Sequence, residues 1–275
     1  MHETINLKNQ EILFDGIPNA RELGGYRMSD GRTIKHGMLL RGGYLVHAST
    51  DDIRRLSEEF HVKNVFDFRT ETERKYQPDT EVPGAKNTWM PTIDMYTDKK
   101  VESFPDYAYR DLANYLLTAA FTDKGKQLAH DLYPAMIDNE YTQLQYASFL
   151  QQIINTEEGA VYWHCSQGKD RTGLGSAFLL AVLGADRKLI IDDFDLSNVA
   201  YEQELTDIKQ KIRNMGGGQE ELEVIQAFIG VSTKNFIDSL GIIDSKYGGM
   251  DEYISNQLMI GENDKKILRD RFLEE

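Results

Sequence analysis

The sequence predicts an α/β protein in which a central, mainly parallel sheet is flanked by helices, with a large helical C-terminal portion. Three observations predict this fold. Short apolar runs alternate with helical patterns in the first half, the run AVYWH (160–164) leads through a glycine-containing loop into a small-residue helix, and the remaining chain is almost entirely helical. No repeat or Pro/Gly/Ser-rich linker divides the chain, so we expect a single domain spanning residues 1–275.

The strands expected from apolar, β-prone runs lie at 36–41, 62–68, 85–90 and 160–164. A helix is expected at 51–60 behind the candidate cap Thr50, and an aromatic-rich helix at 106–121. Periodic apolar positions, punctuated by glycines, predict the other helices at 124–138, 141–156, 172–184, 187–197, 198–214, 219–229, 233–244, 249–259 and 263–273.

Composition limits the partners of this chain. Its formal net charge is −14, from 45 acidic and 31 basic residues, so its overall field repels nucleic acid and anionic lipid surfaces, and any bound phosphate must be held by local groups. No stretch has the apolar length of a membrane span, and no signal peptide begins the chain. We therefore expect a cytoplasmic protein, with export left open if a leader has been removed.

The segment HCSQGKDRTG (164–173) carries the only cysteine of the chain. A loop that runs into a helix N-terminus directs backbone N–H groups and the positive end of the helix dipole at an anion. Gly168 permits close backbone approach, and Arg171 can offer a planar pair of donors to two phosphate oxygens. Residues 166–172 are therefore predicted to bind phosphate: Ser166, Gln167, Gly168, Lys169, Asp170, Arg171 and Thr172.

The same surroundings favour the thiolate of Cys165 over its thiol. A thiolate in an anion site fits attack on the phosphorus of a phosphate monoester, giving a phosphocysteine that water hydrolyses, with Thr172 hydrogen-bonded to the departing sulfur. A lone cysteine is also commonly an inert core residue. The match of five neighbours to one template argues against that interpretation: His164, Gly168, Arg171, Thr172 and Gly173.

This segment resembles the Cys-x5-Arg signature of protein tyrosine and dual-specificity phosphatases, and its ending resembles the bacterial and fungal branch with secreted mycobacterial and listerial tyrosine phosphatases. Four further segments are similar to elements of that branch: IPNARELGGY (17–26), GMLLRGGYL (37–45), VFDFRTETE (65–73) and YGGMDEYI (247–254). Glu22 stands where the branch usually has aspartate. The resemblance implies the cysteine phosphatase fold and phosphotyrosine hydrolysis, extending to phosphoserine and phosphothreonine.

The leaving oxygen needs a proton donor, and two aspartates compete for that role. Asp94 follows the strand at 85–90, where the phosphatases that this chain resembles carry their acid on a mobile loop. Asp170 lies beside Arg171 in the phosphate loop. We favour Asp94 and expect Asp170 to shape the loop or orient water; a solvated surface carboxylate is the alternative for either.

Several other residues are expected to support the site. His164 is expected to orient the cysteine, and Asp67 with Arg69 to brace loops at the carboxyl edge of the sheet. Arg21 and Arg41 are expected to tie down the N-terminal segment. Lys169 is expected on the rim, either binding a second phosphate or an acidic substrate flank, or simply facing solvent.

Three functions stay open on this basis. The first is hydrolysis of phosphotyrosine proteins, the second is hydrolysis of phosphoinositides by the same mechanism, and the third is binding of phosphorylated partners without turnover. A sulfurtransferase is disfavoured because its loop lacks the Arg-Thr-Gly ending. The six histidines show no paired ligand spacing, so we expect neither metal nor cofactor. Inorganic phosphate is the expected product.

Overall fold

The computed structural model describes residues 7–93 and 112–275. Its main sheet has five strands in the order β1-β3-β6-β4-β5. The strands of this sheet are β1 (Arg21–Glu22), β3 (Leu39–Gly42), β4 (Val62–Asp67), β5 (Lys86–Trp89) and β6 (Ala160–His164). All neighbours in it are parallel except β1, which pairs antiparallel with β3. The predicted mainly parallel sheet is thereby confirmed.

Strand pleating divides the core into two layers. Alternate residues of β6 belong to opposite clusters: Val161 and Trp163 pack with the long C-terminal helices, whereas Ala160 and Tyr162 pack with the N-terminal segment and α2 (Thr50–Arg54). Because both faces are covered, every residue of β6 is buried. The sheet therefore holds the end of this strand, where Cys165 follows, inside the molecule.

The helices after α2 confirm the expected helical second half. They are α3 (Glu71–Tyr76), α4 (Leu112–Ala119), α5 (Asp123–Ile137), α6 (Glu140–Ile154), α7 (Asp170–Leu183), α8 (Arg187–Ala200), α9 (Glu202–Asn214), α10 (Gln219–Ile229), α11 (Thr233–Tyr247), α12 (Met250–Asn256) and α13 (Glu262–Phe272). A third apolar cluster joins α4, α5, α9 and α10. None of the helices in the described ranges combines the length and apolarity that a bilayer-spanning segment requires.

Several predicted helix starts are wrong. The largest error is at α9, which begins at Glu202 and not at 198, because α8 continues to Ala200. Two smaller errors lie at α2 and α7, and local hydrogen bonding explains the first of these. The cap of α2 is Ser49, not Thr50: its hydroxyl accepts from the backbone N–H of Asp52, whose carboxylate accepts from the Ser49 N–H in return. The second is α7, which begins at Asp170, two residues before the expected start. In α2, the cap at Ser49 makes Thr50 the first helical residue. A π-helical turn (Arg55–Glu59) extends that helix.

The shortest elements have no periodic pattern and were not expected from the sequence. They are α1 (Leu7–Gln10), α3, β1, and the two-stranded sheet of β2 (Thr33–Ile34) with β7 (Leu273–Glu274). One local signal does mark α3. Thr70 and Glu73 form a capping box at its start, which is the Thr-x-x-Glu spacing of that motif.

Candidate active site

Cys165 directly follows the last residue of β6, and residues 166–169 form the loop that leads into α7. The side chain of Cys165 is nearly buried, at 3% exposure. Helix α7 runs through the core, where Gly173 lies so close to Phe194 that a Cβ would come within 2.7 Å of its ring. The loop thus stands between a buried strand and a buried helix, which hold both of its ends in place.

The carbonyl oxygens of the loop all accept hydrogen bonds from groups that lie outside it. The pairs are Ser166 O with Tyr44 N (3.1 Å), Gln167 O with Tyr201 Oη (2.9 Å), Gly168 O with Asn19 Nδ2 (2.9 Å) and Arg41 Nη2 (2.9 Å), and Lys169 O with Gly173 N (2.6 Å). In a trans peptide the N–H points opposite to the C=O. The N–H groups that follow these carbonyls therefore point to the other side of the loop.

No described residue accepts a hydrogen bond from the backbone N–H of Ser166, Gln167, Gly168 or Lys169. Four consecutive free donors beside the N-terminus of α7 form a concave site that suits an anion. This arrangement is what the sequence predicts for residues 166–172. It also explains how a chain with a net charge of −14 could hold a phosphate, because the attraction is local.

Gly168 is required for packing within the protein. Its φ is +66°, a left-handed conformation that residues with a Cβ rarely adopt. A Cβ there would also lie 2.3 Å from the carbonyl carbon of Gly42, at the end of β3. The close neighbour is therefore the backbone of a second glycine-containing segment, which packs against the outer side of the loop.

Arg171 forms a bidentate ion pair with Glu73 of α3. Nη1 donates to Oε2 and Nη2 to Oε1, both at 2.7 Å, and both side chains are largely buried. A guanidinium has five N–H donors, so this pair leaves three for a bound anion. The pair fixes the plane of the guanidinium and supports the predicted role of Arg171 in phosphate binding.

Glu73 also holds the first residue of the loop, because Ser166 Oγ donates to its Oε1 at 2.5 Å. Burial alone would raise the pKa of Glu73. The charge of Arg171 and hydrogen bonds from Arg171, Ser166 and the Thr70 backbone outweigh that effect and lower the pKa to about 2. Glu73 is therefore an ionised residue that joins both ends of the loop.

Asp170, the first residue of α7, accepts a hydrogen bond at Oδ1 from the hydroxyl of Tyr133 at 2.6 Å. Tyr133 is buried in α5, and burial, followed by the charge of Asp170, raises its pKa. One carboxylate oxygen of Asp170 is thus already engaged with the protein. Asp94, the other candidate acid, lies outside the described residues, as do residues 106–111 of the predicted aromatic-rich helix.

Lys169 is not on the rim, so that prediction is wrong. The residue is 3% exposed, and its Nζ donates to the carbonyl oxygens of Phe228 at 2.5 Å and Ile229 at 2.9 Å, in the last turn of α10. Burial lowers the pKa of this ammonium, and the charges of Asp170 and Cys165 act in the opposite direction. The charged group of Lys169 therefore faces the C-terminal end of α10, inside the protein.

His164, Asp67 and Arg69 lie together behind the cysteine. Nδ1 of His164 is 3.1 Å from the carbonyl oxygen of Cys165, so the Nδ1–H tautomer donates to it. Asp67, at the end of β4, accepts from Nε and Nη2 of Arg69, both at 2.9 Å, and Arg69 Nη2 also pairs with Asp79. Nε2 of His164 is 3.4 Å from Asp79 Oδ2 without hydrogen-bond geometry.

A buried charge network supports the loop from its outer side. Asp193 of α8 accepts from Arg21 Nε at 3.1 Å and from Arg41 Nη1 at 2.6 Å, and all three side chains are almost fully buried. Burial would raise the pKa of Asp193, but the two guanidinium charges lower it. Arg41 then reaches the Gly168 carbonyl, so the N-terminal segment and α8 are tied together against the loop.

The Oγ1 of Thr172 is buried and has no hydrogen-bond partner among the described residues. Its hydrogen bond to the departing sulfur stays a prediction for the phosphocysteine. Sequence reasoning also missed several residues that hold the site: Asn19, Tyr44, Glu73, Tyr133, Asp193 and Tyr201. Asn19, Tyr44 and Glu73 lie within the segments that resemble the family, and the other three carry no local signal.

A mainly parallel sheet whose strand leads through a buried cysteine into a loop suited to an anion, followed by an arginine, is the arrangement typical of cysteine phosphatases. A profile of the tyrosine phosphatase family matches residues 12–274. The chain therefore belongs to the tyrosine phosphatase family, a family of hydrolases that act on phosphate monoesters. The resemblance inferred from the loop and its flanking segments is confirmed.

Individual relatives agree with this assignment. A Cupriavidus necator protein named as a tyrosine-protein phosphatase is 25% identical over 265 residues, covering 91% of this chain and 85% of its own. The triple specificity protein phosphatase PtpB of Mycobacterium tuberculosis is 24% identical over 238 residues, covering 80% and 86%. A tyrosine-protein phosphatase of Nostoc commune is 32% identical, but over only 81 residues, 30% and 27%.

Two solved structures show weaker similarity. The P. aeruginosa protein TpbA is 18% identical with a TM-score of 0.34, covering 71% of this chain and 90% of its own. PTPMT1, solved in complex with PI(5)P, is 14% identical with a TM-score of 0.29, covering 74% and 95%. The family assignment rests on the profile match and the sequence relatives, not on these two structures.

Proposed function

We propose that this protein hydrolyses phosphotyrosine in proteins through a phosphocysteine intermediate, and phosphoserine and phosphothreonine as well. The observation that carries the proposal is the loop at 166–169, whose carbonyls all accept hydrogen bonds from outside it, while its N–H groups have no acceptor among residues 7–93 and 112–275. Cys165 lies at one end of this loop and the Glu73-paired Arg171 at the other. We expect an anion held by these donors and by Arg171 to lie next to the Cys165 sulfur.

The reaction proceeds in two displacements. The Cys165 thiolate forms an S–P bond as the P–O bond to the tyrosine oxygen breaks, and that oxygen takes a proton from the acid. Water then attacks the phosphorus and gives a proton to the acid's carboxylate, while the S–P bond breaks and restores the thiolate. The products are tyrosine and inorganic phosphate. Backbone donors and Arg171 stabilise the charge on the equatorial oxygens in both steps.

We assign the proton transfer to Asp94. It follows β5 in the chain, on the carboxyl side of a strand parallel to β4 and β6. Asp170 is the second candidate, but one of its oxygens accepts from Tyr133, a contact suited to fixing the start of α7 and orienting water. We expect no metal or cofactor to take part, because the side chains and backbone of the protein supply the nucleophile, the hydrogen-bond donors to the phosphate and the acid.

A phosphoinositide substrate is the alternative for the same chemistry. The sequence favours a phosphoinositide partly through Lys169, which is expected on the rim of the site as a second cation. Lys169 is instead buried. Release of inorganic phosphate, measured with malachite green, separates the two functions. We expect a higher kcat/KM on a phosphotyrosine peptide than on soluble phosphoinositides; the reverse order would make the protein a phosphoinositide phosphatase.

Binding of phosphorylated partners without turnover is the third candidate. Cys165 and Arg171 are both present, and Arg171 is held by Glu73, which favours turnover over binding alone. We expect release of phosphate from p-nitrophenyl phosphate by the wild-type protein. A folded wild-type protein that binds phosphotyrosine peptides and releases no phosphate would establish the binding function instead.

A further inference from the structure

The side chain of Lys169 joins the phosphate loop to the C-terminal end of α10. That helix ends at Ile229, and the carbonyls of Phe228 and Ile229 that accept from Nζ belong to its last turn. Carbonyls in the last turn of a helix have no partner within the helix, and this end carries the negative pole of the helix dipole. A buried ammonium there satisfies both carbonyls and interacts favourably with the dipole.

Tyr201 forms a second contact between the phosphate loop and the helices that pack beside it. Its ring centroid lies 5.7 Å from the Lys169 Nζ, within cation–π range, and its hydroxyl donates to the carbonyl of Gln167 at 2.9 Å. Tyr201 precedes α9, whose Leu205, Ile208 and Ile212 pack with α10 in the third apolar cluster. The helical unit of α9 and α10 therefore contacts the loop at two residues, Gln167 and Lys169.

The backbone of Lys169 marks the change from loop to helix. It is the cap of α7, and its carbonyl accepts from Gly173 N at 2.6 Å and from Arg41 Nη2 at 3.5 Å. Both its main chain and its side chain are thus held by groups outside the loop. Because the Lys169 side chain is held at its Nζ, it restrains the peptide groups on either side, whose N–H groups are the proposed donors to the anion.

We propose that Lys169 is a positioning residue that caps α10 and thereby fixes the anion-binding shape of the phosphate loop, without touching the substrate. The proposal rests on the proposed phosphatase function. Two of the three ammonium donors are engaged with carbonyls, and the side chain is 3% exposed, so none of its charge is offered to a second phosphate. Lys169 therefore adds nothing to the affinity for doubly phosphorylated substrates.

Three variants test this inference: Lys169→Met removes the donors at similar length, Lys169→Arg keeps donors for the helix end, and Lys126→Met is the control. Lys126 also pairs with α10, through Glu220 and Glu221 at its opposite end. The measurements are thermal unfolding, kcat and KM for p-nitrophenyl phosphate and for inositol lipids with one and two phosphates, and the inhibition constant of inorganic phosphate.

We expect Lys169→Met to lower kcat and weaken inhibition by inorganic phosphate by about 10- to 100-fold, by equal factors on all three substrates. Lys169→Arg should recover part of that loss, and Lys126→Met should leave kcat unchanged. Loss confined to the doubly phosphorylated lipid would instead make Lys169 a substrate ligand, and unchanged kinetics in folded Lys169→Met would also overturn the inference.

If Lys169→Met does not fold, Lys169→Arg tests the helix-capping role on its own. With thermal stability close to wild type, it should keep inhibition by phosphate within about threefold, because its donors still reach the end of α10. A larger loss in that folded variant would contradict a helix-capping role. Failure of the proposed function is distinguishable, since a wild-type protein that releases no phosphate from any substrate would fail before Lys169 is changed.

Discussion

Arg171 and Glu73 are joined by two parallel hydrogen bonds of 2.7 Å, although 98 residues separate them in the chain. This pair connects α3 to the first turn of α7, and Ser166 joins it through the same carboxylate. The consequence is that the guanidinium is oriented before any phosphate arrives. Such preorganisation lowers the cost of ordering the site during catalysis.

Glu73→Gln should weaken both catalysis and acid stability. The amide offers one acceptor where the carboxylate offers two, so we expect kcat/KM to fall by about 10- to 100-fold. Because folding lowers the pKa of Glu73 from 4.5 to about 2, its ionised form stabilises the fold above pH 4.5, and this contribution is lost as the pH falls towards 2.

Urea unfolding at several pH values measures that contribution. The difference in the free energy of unfolding between wild type and Glu73→Gln should be largest at neutral pH and shrink below pH 4.5. A difference that stays constant down to pH 2 would show that the carboxylate charge contributes nothing to the fold.

Gly168→Ala should damage the loop by two separate effects. Its φ of +66° strains any residue with a Cβ, and the added carbon would lie 2.3 Å from the Gly42 backbone, which cannot rotate away. We expect a loss of stability of at least about 2 kcal/mol together with nearly complete loss of activity. Denaturant unfolding and p-nitrophenyl phosphate hydrolysis are the measurements.

Gly184→Ala is the matched control for that variant. Gly184 also has a positive φ, of 100°, but a Cβ there would meet no atom within 4 Å. It caps the far end of α7, so we expect about 1 kcal/mol of destabilisation from backbone strain and unchanged kcat. Equal effects of the two substitutions on activity would refute the close approach of Gly168 to Gly42 as a requirement of the site.

The two candidate acids are distinguished by leaving-group dependence. In Asp94→Asn the loss of kcat should grow as the phenol of an aryl phosphate becomes less acidic, because a poorer leaving group depends more on protonation. In Asp170→Asn the loss should be similar for all leaving groups, since we expect this residue to shape the loop through Tyr133. The opposite pattern would transfer the acid role to Asp170.

The response to small reagents follows from the nucleophile. We expect activity to survive EDTA, to be inhibited by vanadate and to be lost with peroxide, because an ionised thiol oxidises first. Asp67, Asp79 and His164 are close enough together to hold a metal ion, but Arg69 already pairs with both carboxylates. Loss of activity in EDTA, restored by adding a divalent metal, would contradict this account.

The strand, loop and helix around Cys165 could be predicted because their signals are local. Residues 160–173 contain an apolar run, a glycine and a small-residue helix in uninterrupted order. The neighbours that give the loop its shape come from distant segments, and no pattern near the loop points to Asp193 or Tyr133. Glu73 is predictable only in part. Its capping box with Thr70 is a local pattern in the sequence, but its ion pair with Arg171 depends on the tertiary fold.

The position of Lys169, buried and not on the rim of the site, could not be predicted from the sequence. A lysine beside an anion loop suggests a rim cation, because lysines are usually exposed. The carbonyls that bind it lie 59 and 60 residues further along the chain, at the end of a helix whose position depends on tertiary packing. Ser49 and Thr50 illustrate a smaller error, in which a local signal was overlooked. Only Ser49 has an acidic residue three positions later, Asp52, which is the spacing of a capping box.

The central claim is that Cys165 carries the phosphoryl group during turnover. The most direct measurement is mass spectrometry of the peptide containing residue 165 after acid quench of the enzyme turning over p-nitrophenyl phosphate. We predict a phosphoryl adduct on Cys165 in the wild-type protein, and neither adduct nor hydrolysis in Cys165→Ser, which should still bind the substrate. Hydrolysis that persists in folded Cys165→Ser, or an adduct on a different residue, would contradict the account.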